Sequence, residues 1–169
     1  MLEVIAYFVV PVFAILVFAY FSVEANRKKE RELKKQQIIS RVATMKDNYK
    51  RAVLTLVEQK MLTRCGQESV YRIANNFFVF QPVSIENIEY AEQLFDSIIE
   101  AMPVLNEDHK NLDFAQGIIS LFVRTLPTSS AGHTAAFYQQ QLPEYVAQLA
   151  QSNTSKDASL HHPMSNEAA

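Results

Sequence analysis

Val4–Val23 reads VIAYFVVPVFAILVFAYFSV, a run of twenty residues without a charge. A bilayer core is about 30 Å thick, and a helix rising about 1.5 Å per residue crosses it in roughly twenty residues. A soluble helix of this composition would need burial on every face, which a chain of 169 residues could hardly supply. Residues 1–23 are therefore expected to form a transmembrane anchor. A cleaved signal peptide would instead need a basic start and an apolar core of about 7–15 residues. Here Glu3 precedes a longer run with no Lys or Arg before it, so an uncleaved anchor is the expectation. Tyr7, Phe8, Tyr20 and Phe21 lie near its two ends, where aromatic rings favour the headgroup boundary. Pro11 implies local bending. No ionisable residue interrupts the run, which argues against an ion path or proton relay.

Immediately after the run come Arg27, Lys28, Lys29, Arg31, Lys34 and Lys35. Clustered cations beside a span stay on the cytoplasmic side, so the expected topology is N-terminus out and C-terminal domain in. The same six residues are the expected contact with anionic lipid headgroups. The setting they imply is a single pass through a bacterial inner membrane.

Charge divides the chain. Residues 1–64 hold 12 Lys/Arg against 6 Asp/Glu, or +6, whereas residues 65–169 hold 4 against 12, or −8. The two halves should meet different partners. Three glycines and no tryptophan disfavour a turn-rich β fold, and the lone Cys65 cannot form an internal disulfide.

From Glu24 to about Arg64 there is neither proline nor glycine, and Lys, Glu, Gln, Arg and Leu dominate. This predicts a basic juxtamembrane stalk helix over 24–64. Within it Ile38, Val42, Met45, Tyr49, Ala52 and Leu56 recur at alternating steps of four and three, the a/d spacing of a coiled-coil seam. Val53 and Val57 widen the stripe. The seam covers under three heptads, so docking on the chain's own bundle is expected. Pairing with a second stalk, giving a weak homodimer, is the alternative to a monomer.

Residues 65–150 predict a helical bundle of about four helices. Gly66 is placed to end the stalk as a C-terminal cap. Ser69–Phe80 carries Val70, Ile73, Ala74, Phe77 and Phe78 at helical spacing. Ser84 caps a helix over Ile85–Met102, with Ile88, Ala91, Phe95 and Ile98 on one side and Glu86, Glu89, Gln93, Asp96 and Glu100 on the other. A third helix runs from about Leu112 to Leu126, stopped by Pro127, and a fourth from about His133 to Ala150, bent or divided at Pro143. Residues 151–169 offer almost nothing to bury and are expected to be disordered.

Chemistry is hard to find in this pattern. Cys65 beside Arg64 lacks a base and an orienting group in the sequence around it. Glu86, Glu89 and Glu92 lack the Glu-x-x-His pairs that accompany carboxylate metal sites in bundles. His109 with Asp113 makes at most two ligands, His161 and His162 fall in the tail, and His133 reads as a helix-start residue. There is no phosphate loop, no nucleophile elbow and no Cys-x-x-Cys. No cofactor, metal or catalytic residue is therefore assigned, and the acidic distal half argues against nucleic acid. The expected function is a non-enzymatic, membrane-tethered interaction or adaptor protein. An accessory subunit of a larger membrane complex is the alternative, and the protein partner is unknown. An enzyme with an unmarked site is the third class.

Overall fold

Good helix formers without proline or glycine from Glu24 to Glu58 keep the backbone helical, and there the longest helix lies. The computed structural model describes residues 2–105 and 111–160, the side chains of 2–11, 14 and 155–160 excepted. Among these residues the chain is all-α, with five helices and no strand: α1 Leu2–Glu58, α2 Arg64–Asn76, α3 Ile85–Ala101, α4 Leu112–Thr125 and α5 Leu142–Leu160. The chain divides into two compact units, Met1–Ala43 and Thr44–Ala169.

The first unit is the helical segment up to Ala43. Its large apolar side chains from Val12 to Val23 are exposed, Phe13 at 66% and Phe18 at 75%. Among the described residues no helix is long and apolar enough to cross a membrane. Eight side chains of the expected span, residues 4–11, lie outside them together with Ala14, and so do the proposed boundary aromatics Tyr7 and Phe8.

The second unit begins inside the segment grouped with the stalk, because Met45, Tyr49, Val53 and Leu56 are all buried in it. The helix stops at Glu58, earlier than Gly66 implied. Lys60 adopts φ 62°, the Lys60 N–H donates to the Val57 carbonyl at 2.9 Å, and the Met61 N–H donates to the Leu56 carbonyl at 2.9 Å. That pair of bonds is a Schellman closure, and buried Met61 and Leu56 provide its apolar contact. Lysine thus takes the left-handed position usually given to glycine. Gly66 is instead in the first turn of α2, where a Cβ would stand 2.6 Å from Leu62 Cδ1. Thr63 caps α2, its Oγ1 accepting from the Gly66 N–H at 3.2 Å.

The helix expected over Ser69–Phe80 begins earlier, at Arg64, and after Asn76 tightens into a 3₁₀ turn over Phe77–Val79. Ser84 caps α3 as expected, its hydroxyl accepting from the Asn87 N–H at 3.2 Å, and α3 ends at Ala101, before Pro103. α4 likewise ends ahead of Pro127.

The last helical segment departs from expectation at both ends. His133 lies outside it, after a 3₁₀ turn over Ser130–Gly132. Beside Pro143 the segment is divided: a π-helical turn over Phe137–Gln141, closed by the Leu142 N–H on the Phe137 carbonyl, gives way to α5 at Leu142. The next bond of that wide pattern would come from the missing N–H of Pro143 to the Tyr138 carbonyl. The Tyr90 hydroxyl donates to that carbonyl instead, at 2.7 Å. At the other end α5 continues past Gln151 to Leu160, into the segment where disorder was expected. Extending a formed helix costs little per residue when no glycine or proline intervenes. Ser152 and Thr154 turn their hydroxyls back onto the Gln148 and Ala150 carbonyls, at 2.8 and 2.9 Å. Residues 161–169 lie outside the described residues.

Aromatic rings fill the centre of the second unit. Phe77 is fully buried, with ring centroids of Tyr138 at 4.8 Å, Phe78 at 4.9 Å and Phe95 at 5.8 Å. Tyr49 of α1 stacks on Phe95 at 4.8 Å. Contacts at these spacings add about 0.5–1.5 kcal/mol each beyond the area they bury. Leu142, Ile98, Ile119 and Val53, all under 2% exposed, complete the core from four helices.

Candidate interaction surfaces

Arg27, Lys28, Lys29, Arg31, Lys34 and Lys35 are all exposed on α1. Two of them meet acids on the same helix: Lys34 Nζ stands 2.8 Å from Glu30 and Lys35 Nζ 3.5 Å from Glu32. The Lys34 ammonium, by hydrogen bond first and charge second, holds the Glu30 carboxyl below the usual range. Exposed pairs of this kind contribute little to stability. They do not neutralise the segment either, since six cations face two acids between Arg27 and Lys35.

The seam residues divide between the units. Met45, Tyr49 and Leu56 are 7%, 3% and 8% exposed in the second unit. Ile38 and Val42 are half-buried in the first, beside a fully exposed face that includes Ile39. Tyr49 is fixed by more than packing, because its hydroxyl donates to the Val70 carbonyl at 3.4 Å. Burial, with the Tyr138 phenol a smaller contributor, pushes its phenol well above the ordinary range. Lys46 is half-buried with its ammonium 5.7 Å from the Phe78 ring centroid, and burial and then Lys50 lower its pKa.

The same hydroxyl-to-carbonyl device recurs. Tyr71 donates to the Lys50 carbonyl at 3.2 Å, and Tyr138 to the Ile73 carbonyl at 2.7 Å. Each satisfies a polar tip that burial would otherwise leave unpaired, so these phenols are held in structural bonds. His133 is fully buried, and its Nδ1–H donates to the Ser129 carbonyl at 3.1 Å. Its Nε2 and the Gln81 side-chain nitrogen are buried without a hydrogen-bond partner. Burial pulls the imidazole pKa down, the Ser129 bond opposes this, and the Arg72 charge adds to the fall. Arg72 itself donates to the Thr128 carbonyl across the loop. Nothing in the sequence distinguished this histidine from a surface residue.

Between α3 and α5 lies a groove of about 500 Å³. Its floor is Leu94, Ala101 and Val146, and Ser97, Ala147 and Ala150 leave it open because their side chains are short. Glu86, Glu89, Gln93, Asp96 and Glu100 are all exposed at steps of three and four, forming one line along the edge of α3. That line was legible as a polar face. The groove beside it was not, because it depends on α5 packing against α3. At the start of the line the Glu86 backbone N–H and then the Ser84 hydroxyl hold the Glu86 carboxyl below its usual range.

Among the described residues, no group of three or more His, Cys, Asp or Glu could hold a metal ion. Glu86, Glu89 and Glu92 share α3. Cys65 is a free, exposed thiol near the start of α2. His109, His161 and His162 lie outside the described residues. No protein-family model, no curated protein and no solved structure matches this chain.

Proposed function

We propose that the chain is a membrane-tethered interaction protein, with an N-terminal anchor, a cationic juxtamembrane segment and a helical module for protein partners. The observation that carries this reading is the uncharged run Val4–Val23 with six cations following it by Lys35. Its large apolar side chains Val12, Phe13, Ile15, Leu16, Val17, Phe18, Tyr20, Phe21 and Val23 are exposed, which water would not tolerate in such number. Lys/Arg placement after the run supports an N-out, C-in topology in a bacterial inner membrane, with anionic headgroups meeting Arg27–Lys35. Tethering confines the second unit to a thin layer and raises its effective concentration for membrane-bound partners.

Alkaline extraction of membranes from cells making the full chain tests the tether. The protein should stay in the pellet, and Phe13→Arg with Val17→Arg should release it. Recovery of the wild type in the alkaline supernatant would sink the reading. A C-terminal reporter tests the topology: it should be active only in the cytoplasm, and neutralising the six residues from Arg27 to Lys35 should weaken that preference. Periplasmic activity of the wild-type fusion would reverse the assignment.

One observation favours the accessory-subunit reading. Val79, Phe80, Val83 and Ile85 are 62%, 49%, 51% and 54% exposed within seven residues, an apolar segment that a neighbouring subunit would cover. Purification in mild detergent separates the two, since a permanent subunit leaves the membrane in fixed ratio with its neighbours.

A further inference from the structure

We propose that the groove between α3 and α5 receives a basic amphipathic helix of a partner protein. The proposal rests on the interaction-module reading above and gives that module a surface and a partner chemistry. Shape comes first. The groove runs beside α3 from Tyr90 to Ala101, about 16 Å or three helical turns. Three turns are the length over which a helix presents anchors at i, i+3 or i+4, and i+7. Leu94, Ala101 and Val146 give those anchors an apolar floor, while Ala147 and Ala150 are too small to close over it.

Charge then selects the occupant. α3 carries five acids and no Lys or Arg in its 17 residues. Glu100 lines the groove, Glu89 and Asp96 stand exposed on the same line of α3, Glu86 lies one turn ahead of the groove's start, and Glu144 is exposed in the first turn of α5. An incoming helix with Lys or Arg flanking its apolar stripe meets opposite charge there, and an acidic one meets like charge. A second copy docking through the same face would set its own acids against these. The cationic segment Glu24–Gln37 of a second copy would match in charge, but Leu33 is its one large apolar side chain, too little to fill the floor. Anionic lipid is repelled for the same reason as an acidic helix.

The test uses the full chain in phosphatidylcholine nanodiscs and a fluorescent peptide of about four helical turns, leucine on one face and lysine on the other. Empty discs supply the background, and a leucine/glutamate peptide the control. The lysine peptide should bind saturably above background and more weakly in high salt. Glu89→Lys with Asp96→Lys, and separately Ala147→Phe, should each weaken binding roughly tenfold or more. Both variants alter exposed side chains, and an unchanged melting temperature confirms that they fold. No binding above empty discs would overturn the proposal, as would equal binding of the glutamate peptide. Loss in the charge variant with none in Ala147→Phe would also overturn it, leaving ionic attraction without a groove. A wild-type dimer dissociated by Ala147→Phe would give the groove to a second copy and defeat it too. Incorporation into discs is scored separately, so a chain that binds peptide without incorporating fails the tether and not the groove.

Discussion

His133 and the tyrosines show how single polar atoms hold the second unit together. A neutral imidazole fits its site, with Nδ1–H on the Ser129 carbonyl and Nε2 facing no donor or acceptor. Protonation would bury a second N–H without an acceptor, close to the Arg72 charge. The folded pKa is therefore lowered, and the unfolded chain binds the proton more readily. Stability should be unaffected above the ordinary histidine value of about 6.5 and fall as pH drops through it toward the folded pKa. Thermal melts between pH 8 and pH 5 check this, and His133→Leu should flatten that part of the curve. A wild-type melting temperature constant over the window would contradict it. Tyr90 makes a different case. Its hydroxyl answers the Tyr138 carbonyl that Pro143 leaves without a donor, so Tyr90→Phe should cost about 1 kcal/mol in denaturant unfolding. Replacing Pro143 with Ala in the same background restores a backbone donor and should recover part of the loss.

Helix ends carry the next set of consequences. Lys60 holds a left-handed conformation that costs a non-glycine residue about 1 kcal/mol. Lys60→Gly should therefore raise stability by up to that amount, because the Lys60 backbone carbonyl still accepts from Gln116 Nε2 at 2.8 Å. A destabilised Lys60→Gly would mean that the lysine side chain has a role of its own. These ends also explain what could be read in advance. α3 and α4 were legible because Ser84, Pro103 and Pro127 act locally, through a hydroxyl or a missing N–H within one turn. The end of α1 was not, since no rule of composition assigns lysine to the left-handed position when Gly66 stands six residues on. The π turn at Phe137–Gln141 was equally hidden: Pro143 announces a disturbance, but its form follows from what Tyr90 can reach. Of the groove, sequence showed the acidic line and nothing of its apolar floor.

For the whole molecule the open choice is between one chain and two. The stripe Ile38, Val42, Met45, Tyr49 and Leu56 has the spacing of a two-stranded seam, and the anchors proposed here would set two such helices parallel. Yet Met45, Tyr49, Val53 and Leu56 are 7%, 3%, 0% and 8% exposed within a single copy. Side chains already buried have no surface left to give a partner helix. Ile38, Ile39 and Val42 remain, less than one heptad, and sustained pairing takes three or four. The fragment from Gln37 to Ala169 is therefore expected to sediment as a monomer at micromolar concentration and to unfold in one cooperative transition. Val42→Glu should leave that transition nearly unchanged. Met45→Glu puts a charge into the apolar interior and should cost several kcal/mol, enough to unfold a module of this size. Tyr49→Phe isolates the hydroxyl, with an expected loss of about 1 kcal/mol from the unpaired Val70 carbonyl. A fragment that sediments as a dimer, and becomes a folded monomer with Met45→Glu, would return the seam to the interface between two chains.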